Sequence, residues 1–179
     1  MKQINEKELW EKCVNFHGHQ CGGLTIGYKA ALYAMQLLNL EFAPDEEVVC
    51  ISENDCCSVD AIQVILGCTV GKGSLLFHMT GKMAFSFYDR ASGKSVRLML
   101  KELPREMEHQ EKYLYYQSQD PKGLFDVMDT RIDLPEKAKG FPSYFCECCG
   151  EKTGENWIRL RDGKKLYMDC FQKYDRFQV

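Results

Sequence analysis

Ten cysteines are spread unevenly along this chain, six within the first 68 residues and four between positions 146 and 170. Cysteines at this density constrain a fold either through disulfides or through metal–thiolate bonds. The N-terminal run Met1-Lys2-Gln3-Ile4-Asn5-Glu6-Lys7-Glu8 is charged and lacks the apolar core of a signal peptide. A cytoplasmic location is therefore expected, where thiols stay reduced and serve metals or redox chemistry. Cys13, Cys50 and Cys68 sit in apolar surroundings and suit the role of small buried hydrophobes. Cys21, Cys57, Cys146, Cys149 and Cys170 suit it less well, because they lie in glycine-rich or polar stretches.

The 179 residues are 45% hydrophobic and 27% charged, which is globular composition and enough length for one domain with a small appendage. A net charge of −3 leaves no cationic surplus for phosphates, so nucleic-acid binding through bulk electrostatics is disfavoured. No apolar run approaches the roughly 18 residues of a membrane span.

Periodicity orders the elements. Leu9, Cys13 and Phe16 recur at helical spacing across Glu6 to Phe16. Three glycines within His17 to Gly23 interrupt that pattern. A second helix is expected from Leu24 to about Asn39, with Leu24, Tyr28, Ala31, Met35 and Leu38 on one face. The run from Glu47 to Ser52 predicts a buried strand. Ser58 is placed to cap a helix over Val59–Leu66, which Gly67 can end. Strands are expected at Ser74–His78, Met83–Tyr88 and Lys94–Leu100, joined by turns into an antiparallel meander. A charged helix is expected from Arg105 to Gln117, and a short one over Leu124–Met128. Helices and strands without βαβ alternation predict an α+β core, an antiparallel or mixed sheet packed with helices.

Between Asp133 and Pro142, two prolines, a glycine and several charges mark a linker. The expected division is residues 1–135 as the core and 136–179 as a small treble-clef, zinc-ribbon-like domain. Cys146-x-x-Cys149-Gly150 has the form of a zinc knuckle, two thiolates on a tight turn. A hairpin through Asp162-Gly163 returns the chain to Cys170, and Phe171–Phe177 is expected as a terminal helix. A segment this small cannot build a sufficient core alone, so a metal would supply part of its stability. Cys146, Cys149 and Cys170 are the expected ligands. Tyr167 occupies the place of the first cysteine in a second Cys-x-x-Cys pair, and Cys148 lies behind the knuckle turn. A bound zinc and a metal-free remnant packed on Trp157, Leu160, Tyr167 and Phe171 are the two readings.

His17, His19 and Cys21 alternate in the glycine-rich loop, which in extended backbone points all three to one side. Imidazole and thiolate ligate zinc, nickel, copper or iron. Cys21 also opens a helix, where a thiolate is favoured. Glu53-Asn54-Asp55-Cys56-Cys57 forms a second polar cluster at a strand-to-helix junction, where one of the two adjacent thiols faces the site and the other packs. Gly71-Lys72-Gly73 follows Cys68-Thr69. It lacks the spacing of a P-loop, and is either a plain turn or a place where Lys72 and backbone N–H groups meet an anion.

Phe16-His17-Gly18-His19-Gln20-Cys21-Gly22-Gly23-Leu24, continued by Gly27-Tyr28-Lys29-Ala30-Ala31, resembles the opening motif of the FmdE family. The family is named for a component of molybdenum formylmethanofuran dehydrogenase. Glu53-Asn54-Asp55 through Cys57, with Asp60-Ala61-Ile62-Gln63, resembles its second motif. Gly67-Cys68-Thr69 with Gly71-Lys72-Gly73 resembles the third, and Gly81-Lys82 with Ala84-Phe85 the hairpin that follows. The resemblance spans roughly residues 5–100, and the tail is similar to that of longer members, except at Tyr167, where those carry a cysteine. It implies a homodimeric α+β core from anaerobic metabolism, with a cleft lined by His17, His19, Cys21 and Cys57 as metal ligands. Zinc is the expected ion, with nickel or iron as alternatives in the core. Thr69, Lys72 and Gln63 are expected to meet a cofactor or small anionic ligand.

Three functions follow. The first is a metal-binding accessory of molybdenum or tungsten enzyme metabolism, partnered with the subunits of such an enzyme. The second is a metal- or thiolate-dependent enzyme acting on a small anionic substrate, with Cys21 or Cys57 as nucleophile and Asp60, Glu53 or a free histidine as base. The third is a zinc-ribbon interaction module, in which Arg159, Arg161, Lys164 and Lys165 give the tail local positive charge.

Overall fold

Asn5 starts the first helix, α1 (Glu6–His17), by accepting the Glu8 N–H on its side-chain oxygen at 3.2 Å. Gly18 ends it in the left-handed region at φ 91°. Helix α2 (Gly22–Leu38) begins after a four-residue step, with Cys21 at its cap, and is buried along most of its length. Helix α3 (Ser58–Leu66) lies against it at Gly27, where a Cβ would stand 1.9 Å from the Ser58 carbonyl oxygen. The computed structural model describes residues 5–173, and the chain divides into two compact units, Met1–Lys137 and Ala138–Val179.

The first unit carries five strands, β1 (Val48–Ser52), β2 (Leu75–Phe77), β3 (Ala84–Asp89), β4 (Ser95–Leu100) and β5 (Phe125–Met128), in the order β2-β1-β3-β4-β5. The segment within Ser74–His78 does not join an antiparallel meander. It pairs parallel to β1, with Cys50 opposite Leu75, and β1 separates it from β3. The reason is the intervening α3, a crossover that brings the chain back in its original direction. The other pairings are antiparallel. A second correction concerns Leu124–Met128. A single turn, α5 (Pro121–Leu124), is capped by Asp120, and the chain then becomes strand β5. Pairing with the free edge of β4, from Leu100 opposite Phe125 to Arg97 opposite Met128, overrides local preference there. Helix α4 (His109–Ser118) starts later than Arg105 because Glu108 and Glu111 form a reciprocal capping box. Ser58 is the first residue of α3 rather than its cap, and its hydroxyl donates to Asn54 Oδ1.

One sheet face, with Phe85, Phe87, Val96 and Leu98, joins the helices in the main core. Val49, Ile51 and Tyr88 are packed by Leu76, Ile132 and Leu134 in a separate cluster. Cys13, Cys50 and Cys68 are fully buried. Burial pushes the Cys13 thiol up to about 11, Cys68 up to about 12 and Cys50 well above the ordinary range, so all three act as protonated packing groups.

The second unit consists of two hairpins, β6 (Ser143–Phe145) with β7 (Lys152–Gly154), and β8 (Ile158–Arg161) with β9 (Lys164–Tyr167). Asp162 and Gly163 both have positive φ, 51° and 77°, as a tight two-residue hairpin turn requires. Trp157 and Leu160 do not form a core here; they are 56% and 70% exposed, while Cys146 and Leu166 are buried. A unit this small cannot enclose large side chains on both sides of a two-stranded ribbon. Residues 171–173 lie outside any regular element, and the remainder of the expected helix Phe171–Phe177 lies outside the described residues. No helix among the described residues is long and apolar enough to cross a membrane.

Candidate metal centre

The turn between α1 and α2 and the head of α3 bring together one imidazole and two thiols. His17, Cys21 and Cys57 each offer a ligand atom, and the three atoms lie within 4.8 Å of one another. His17 is the last residue of α1, not part of an extended loop, so it meets Cys21 across a helix-ending turn, with Nε2 3.8 Å from Sγ. Cys21 caps α2, and its sulfur accepts the Leu24 N–H at 3.3 Å. Gly23 makes room for Cys57, because a Cβ there would stand 3.1 Å from Cys57 Cβ. Burial, followed by the neighbouring Cys21 thiol, raises the pKa of Cys57.

Asp60 stands behind the histidine, its Oδ2 2.7 Å from His17 Nδ1. A carboxylate at this distance accepts, so Nδ1 carries the proton and the Nε2 lone pair is left toward the sulfurs. Gln63 donates to the other Asp60 oxygen at 3.2 Å and steadies it. A tetrahedral zinc with bonds of about 2.0–2.3 Å needs neighbouring donors about 3.3–3.8 Å apart, which a small closing of this trio supplies. Two thiolates and an oriented imidazole therefore fit a divalent transition metal.

Cys56 is the packing member of the adjacent pair. Its thiol donates to Asn54 Oδ1 at 2.9 Å and lies 3.6 Å from Met83 Sδ. Asn54 also receives the Ser58 hydroxyl and donates to the Lys82 carbonyl, so one buried amide shapes the whole loop before α3. His19 is not brought into the trio; its ring packs on that of His17, with centroids 4.4 Å apart. Thr69 and Lys72 lie beyond the other end of α3, a nine-residue helix spanning about 13 Å. The Lys72 ammonium donates to the Ala43 and Pro44 carbonyls, and Thr69 Oγ1 accepts the Lys72 N–H. Glu53 is engaged with Arg97 at 2.6 Å and is not free to act as a base.

A cleft of about 460 Å³ adjoins Cys21 and Cys57 and is lined by His19, Gln20, Ile26, His109, Lys112 and Tyr116 among others. His109 and Lys112 are not among the residues that sequence reasoning assigns to the site. Their one signal is the spacing of His109, Lys112 and Tyr116, which places all three on one face of α4.

In the second unit, ligand atoms of Cys146, Cys149 and Cys170 also lie within 4.8 Å of one another. The Cys149 and Tyr167 backbone N–H groups hold the Cys146 thiol down to about 6. Burial and the surrounding thiols of Cys149, Cys146 and Cys148 push Cys170 up to about 12. Tyr167 is turned to another partner, its hydroxyl donating to Asp169 Oδ2 at 2.6 Å.

Residues 16–133 match the family model described as FmdE, Molybdenum formylmethanofuran dehydrogenase operon. The chain belongs to the FmdE family. The matched span holds the His17, Cys21 and Cys57 trio, whereas the cysteines of the second unit lie outside it. A probable S-adenosyl-L-methionine-binding protein of Archaeoglobus fulgidus is 26% identical over 191 residues, covering 89% of this chain and 51% of that protein. The FmdE-family chain thus spans about half the length of this curated relative. The crystal structure of an FmdE-like protein from Syntrophus aciditrophicus, named after tungsten formylmethanofuran dehydrogenase, superimposes with a TM-score of 0.62 at 24% identity. That likeness covers 86% of this chain and 88% of that one, and it shows a shared fold.

Proposed function

We propose that this FmdE-family protein binds one transition metal ion, zinc by its donor set, through His17 Nε2 and the Cys21 and Cys57 thiolates. It would serve as an accessory to molybdenum- or tungsten-dependent enzymes of the formylmethanofuran dehydrogenase type, as a cytoplasmic homodimer. The observation that carries the metal reading is the trio itself, with Asp60 locking the histidine from behind. The accessory role rests on the family's description and on the name of the Syntrophus protein.

In this reading the chain's own residues have separable tasks. Cys21 and Cys57 supply anionic sulfur, His17 completes three protein ligands, and Asp60 with Gln63 holds the imidazole in one tautomer. Three protein ligands leave a position for an exogenous group, and a bound ion there acts as a Lewis acid toward it. The cleft beside the thiols favours a second reading, a metal-dependent enzyme acting on a small anionic substrate. The S-adenosyl-L-methionine of the Archaeoglobus relative is not carried over. That protein is about twice the matched length, and this chain spans about half of it.

Elemental analysis of protein purified anaerobically without chelators tests the reading. Cys57→Ser should lose one equivalent of metal, and Asp60→Asn should weaken core affinity about 10–100-fold. A Cys57→Ser protein with undiminished metal content would defeat the assignment. The same experiment reaches the second unit, where we propose that Cys146, Cys149 and Cys170 hold a second zinc. Tyr167→Cys should add a fourth thiolate and tighten tail zinc about tenfold or more in chelator competition. An unchanged affinity would mean that another group already completes the site.

A further inference from the structure

The cleft beside Cys21 and Cys57 is lopsided in charge. His19, His109 and Lys112 line it, and among the described residues no carboxylate does. The Lys112 ammonium and the His109 ring have no side-chain partner among the described residues. A divalent ion held by two thiolates and a neutral imidazole is formally neutral, so metal binding at the trio would not consume the Lys112 charge. Ile26 and Tyr116 give the cleft an apolar wall.

The helix that carries Lys112 and His109 is also tied down. Tyr113 donates its hydroxyl to Gln20 Oε1 at 2.7 Å, and Gln117 Nε2 donates to Thr25 Oγ1 at 3.1 Å. Lys29 reaches the Gln119 carbonyl at 2.8 Å. These three bonds tie α4 and the residue after it to the start of α2, so His109 and Lys112 are presented to the same space as the thiols without needing a closing motion.

From this we infer that the cleft binds a small bifunctional anion, one donor atom on the metal and one anionic group on Lys112 and His109. This rests on the metal reading of His17, Cys21 and Cys57. A cleft of about 460 Å³ accommodates a molecule of metabolite size. The anionic group would gain charge-assisted hydrogen bonds from donors that otherwise face solvent.

The test uses full-length protein loaded with Co(II), whose visible spectrum reports a thiolate entering the coordination sphere. The core signal is identified by its loss in Cys57→Ser. 3-Mercaptopropionate and 2-mercaptoethanol are titrated as probes that share the thiol and differ in the carboxylate. The acid should bind about tenfold more tightly. Lys112→Ala should remove most of that difference while leaving the spectrum before titration unchanged, and His109→Ala should remove part of it. Equal affinities for the two probes, or a preference that survives Lys112→Ala, would overturn the inference while leaving the metal site standing. Failure of the wild-type core to take up Co(II) would instead bring down the metal reading and this inference with it.

Discussion

Replacing Arg97 with methionine while Glu53 remains should destabilise the first unit by about 3–5 kcal/mol, because it strands a buried carboxylate. Arg97 is 1% exposed in the middle of β4, and its Nε donates to Glu53 Oε1 at 2.6 Å. Among the described residues the other guanidinium nitrogens meet thioethers, Met128 Sδ at 3.1 Å and Met99 Sδ at 3.9 Å, so Glu53 is the main counterpart of that charge. Thr80 donates to the second Glu53 oxygen at 2.9 Å, and a single hydroxyl cannot replace a cation. Burial works to raise the pKa of Glu53, but the Arg97 and Thr80 bonds outweigh it and hold the carboxyl below the ordinary glutamate range. A carboxyl depressed in the folded state contributes stability above its unfolded pKa and loses it as the pH falls through the folded value. Wild-type protein should therefore lose this contribution on acidification below the ordinary glutamate range. In Arg97→Met burial, the largest influence on Glu53, is opposed chiefly by the Thr80 bond, and the wild-type contribution is absent, so the variant's deficit should shrink as the pH falls. Arg97→Met combined with Glu53→Gln should recover part of the loss at neutral pH. Urea denaturation at neutral and acid pH measures all of this. A deficit under about 1 kcal/mol for the single variant, typical of an exposed pair, would show that the charges are not coupled as described.

The two halves of the core site differ in how legible they are in the sequence. His17, Cys21 and Cys57 stand out because glycines and ligating side chains crowd the same short stretches, and such stretches seldom form regular elements. The reason for their meeting is less visible. The alternation of His17, His19 and Cys21 suggests an extended loop, whereas α1 continues through His17 and leaves His19 outside the trio, packed at a tilt against the His17 ring. Asp60 reads as a candidate base, and only tertiary packing shows that it faces an imidazole 43 positions away. His109 and Lys112 come from a helix tied to the cleft by contacts spanning more than 90 residues, such as Tyr113 to Gln20. A helix of low amphipathicity gives no local sign of such a destination. Lys72 misleads the other way. A lysine between two glycines reads as a plain turn or as an anion receptor, and its ammonium closes two backbone carbonyls, those of Ala43 and Pro44. The sheet repeats the lesson. Period-two patterning locates the segment around Leu75–Phe77, but its parallel partner is set by the path of α3.

Gly27→Ala should be the most damaging single-methyl addition to the helical layer. The new Cβ would lie 1.9 Å from the Ser58 oxygen and 2.6 Å from its carbonyl carbon and Cα, all backbone atoms of α3. No rotamer change relieves a backbone clash, so α3 must retreat by more than 1 Å to reach even the 3.0 Å that Cβ contacts require. Forced overpacking of this kind costs about 3 kcal/mol at the upper end of its usual range. Alanine regains about 1 kcal/mol of helix propensity, leaving a net loss of about 2 kcal/mol. That corresponds to a fall in Tm of roughly 4–8 °C for a unit of this size. The displacement does not stay local. Ser58 directly follows Cys57 and precedes Asp60 by two residues, so the retreat of α3 pulls one proposed ligand and the carboxylate behind another away from His17 and Cys21. Core metal affinity should therefore fall in Gly27→Ala, while metal at Cys146, Cys149 and Cys170 is retained. Gly22→Ala serves as the comparison, since its Cβ would meet the Tyr116 ring at an ordinary 3.6 Å and should be tolerated. A Gly27→Ala protein with wild-type Tm and an intact core metal equivalent would mean that α2 and α3 do not hold the separation that brings Cys57 to Cys21.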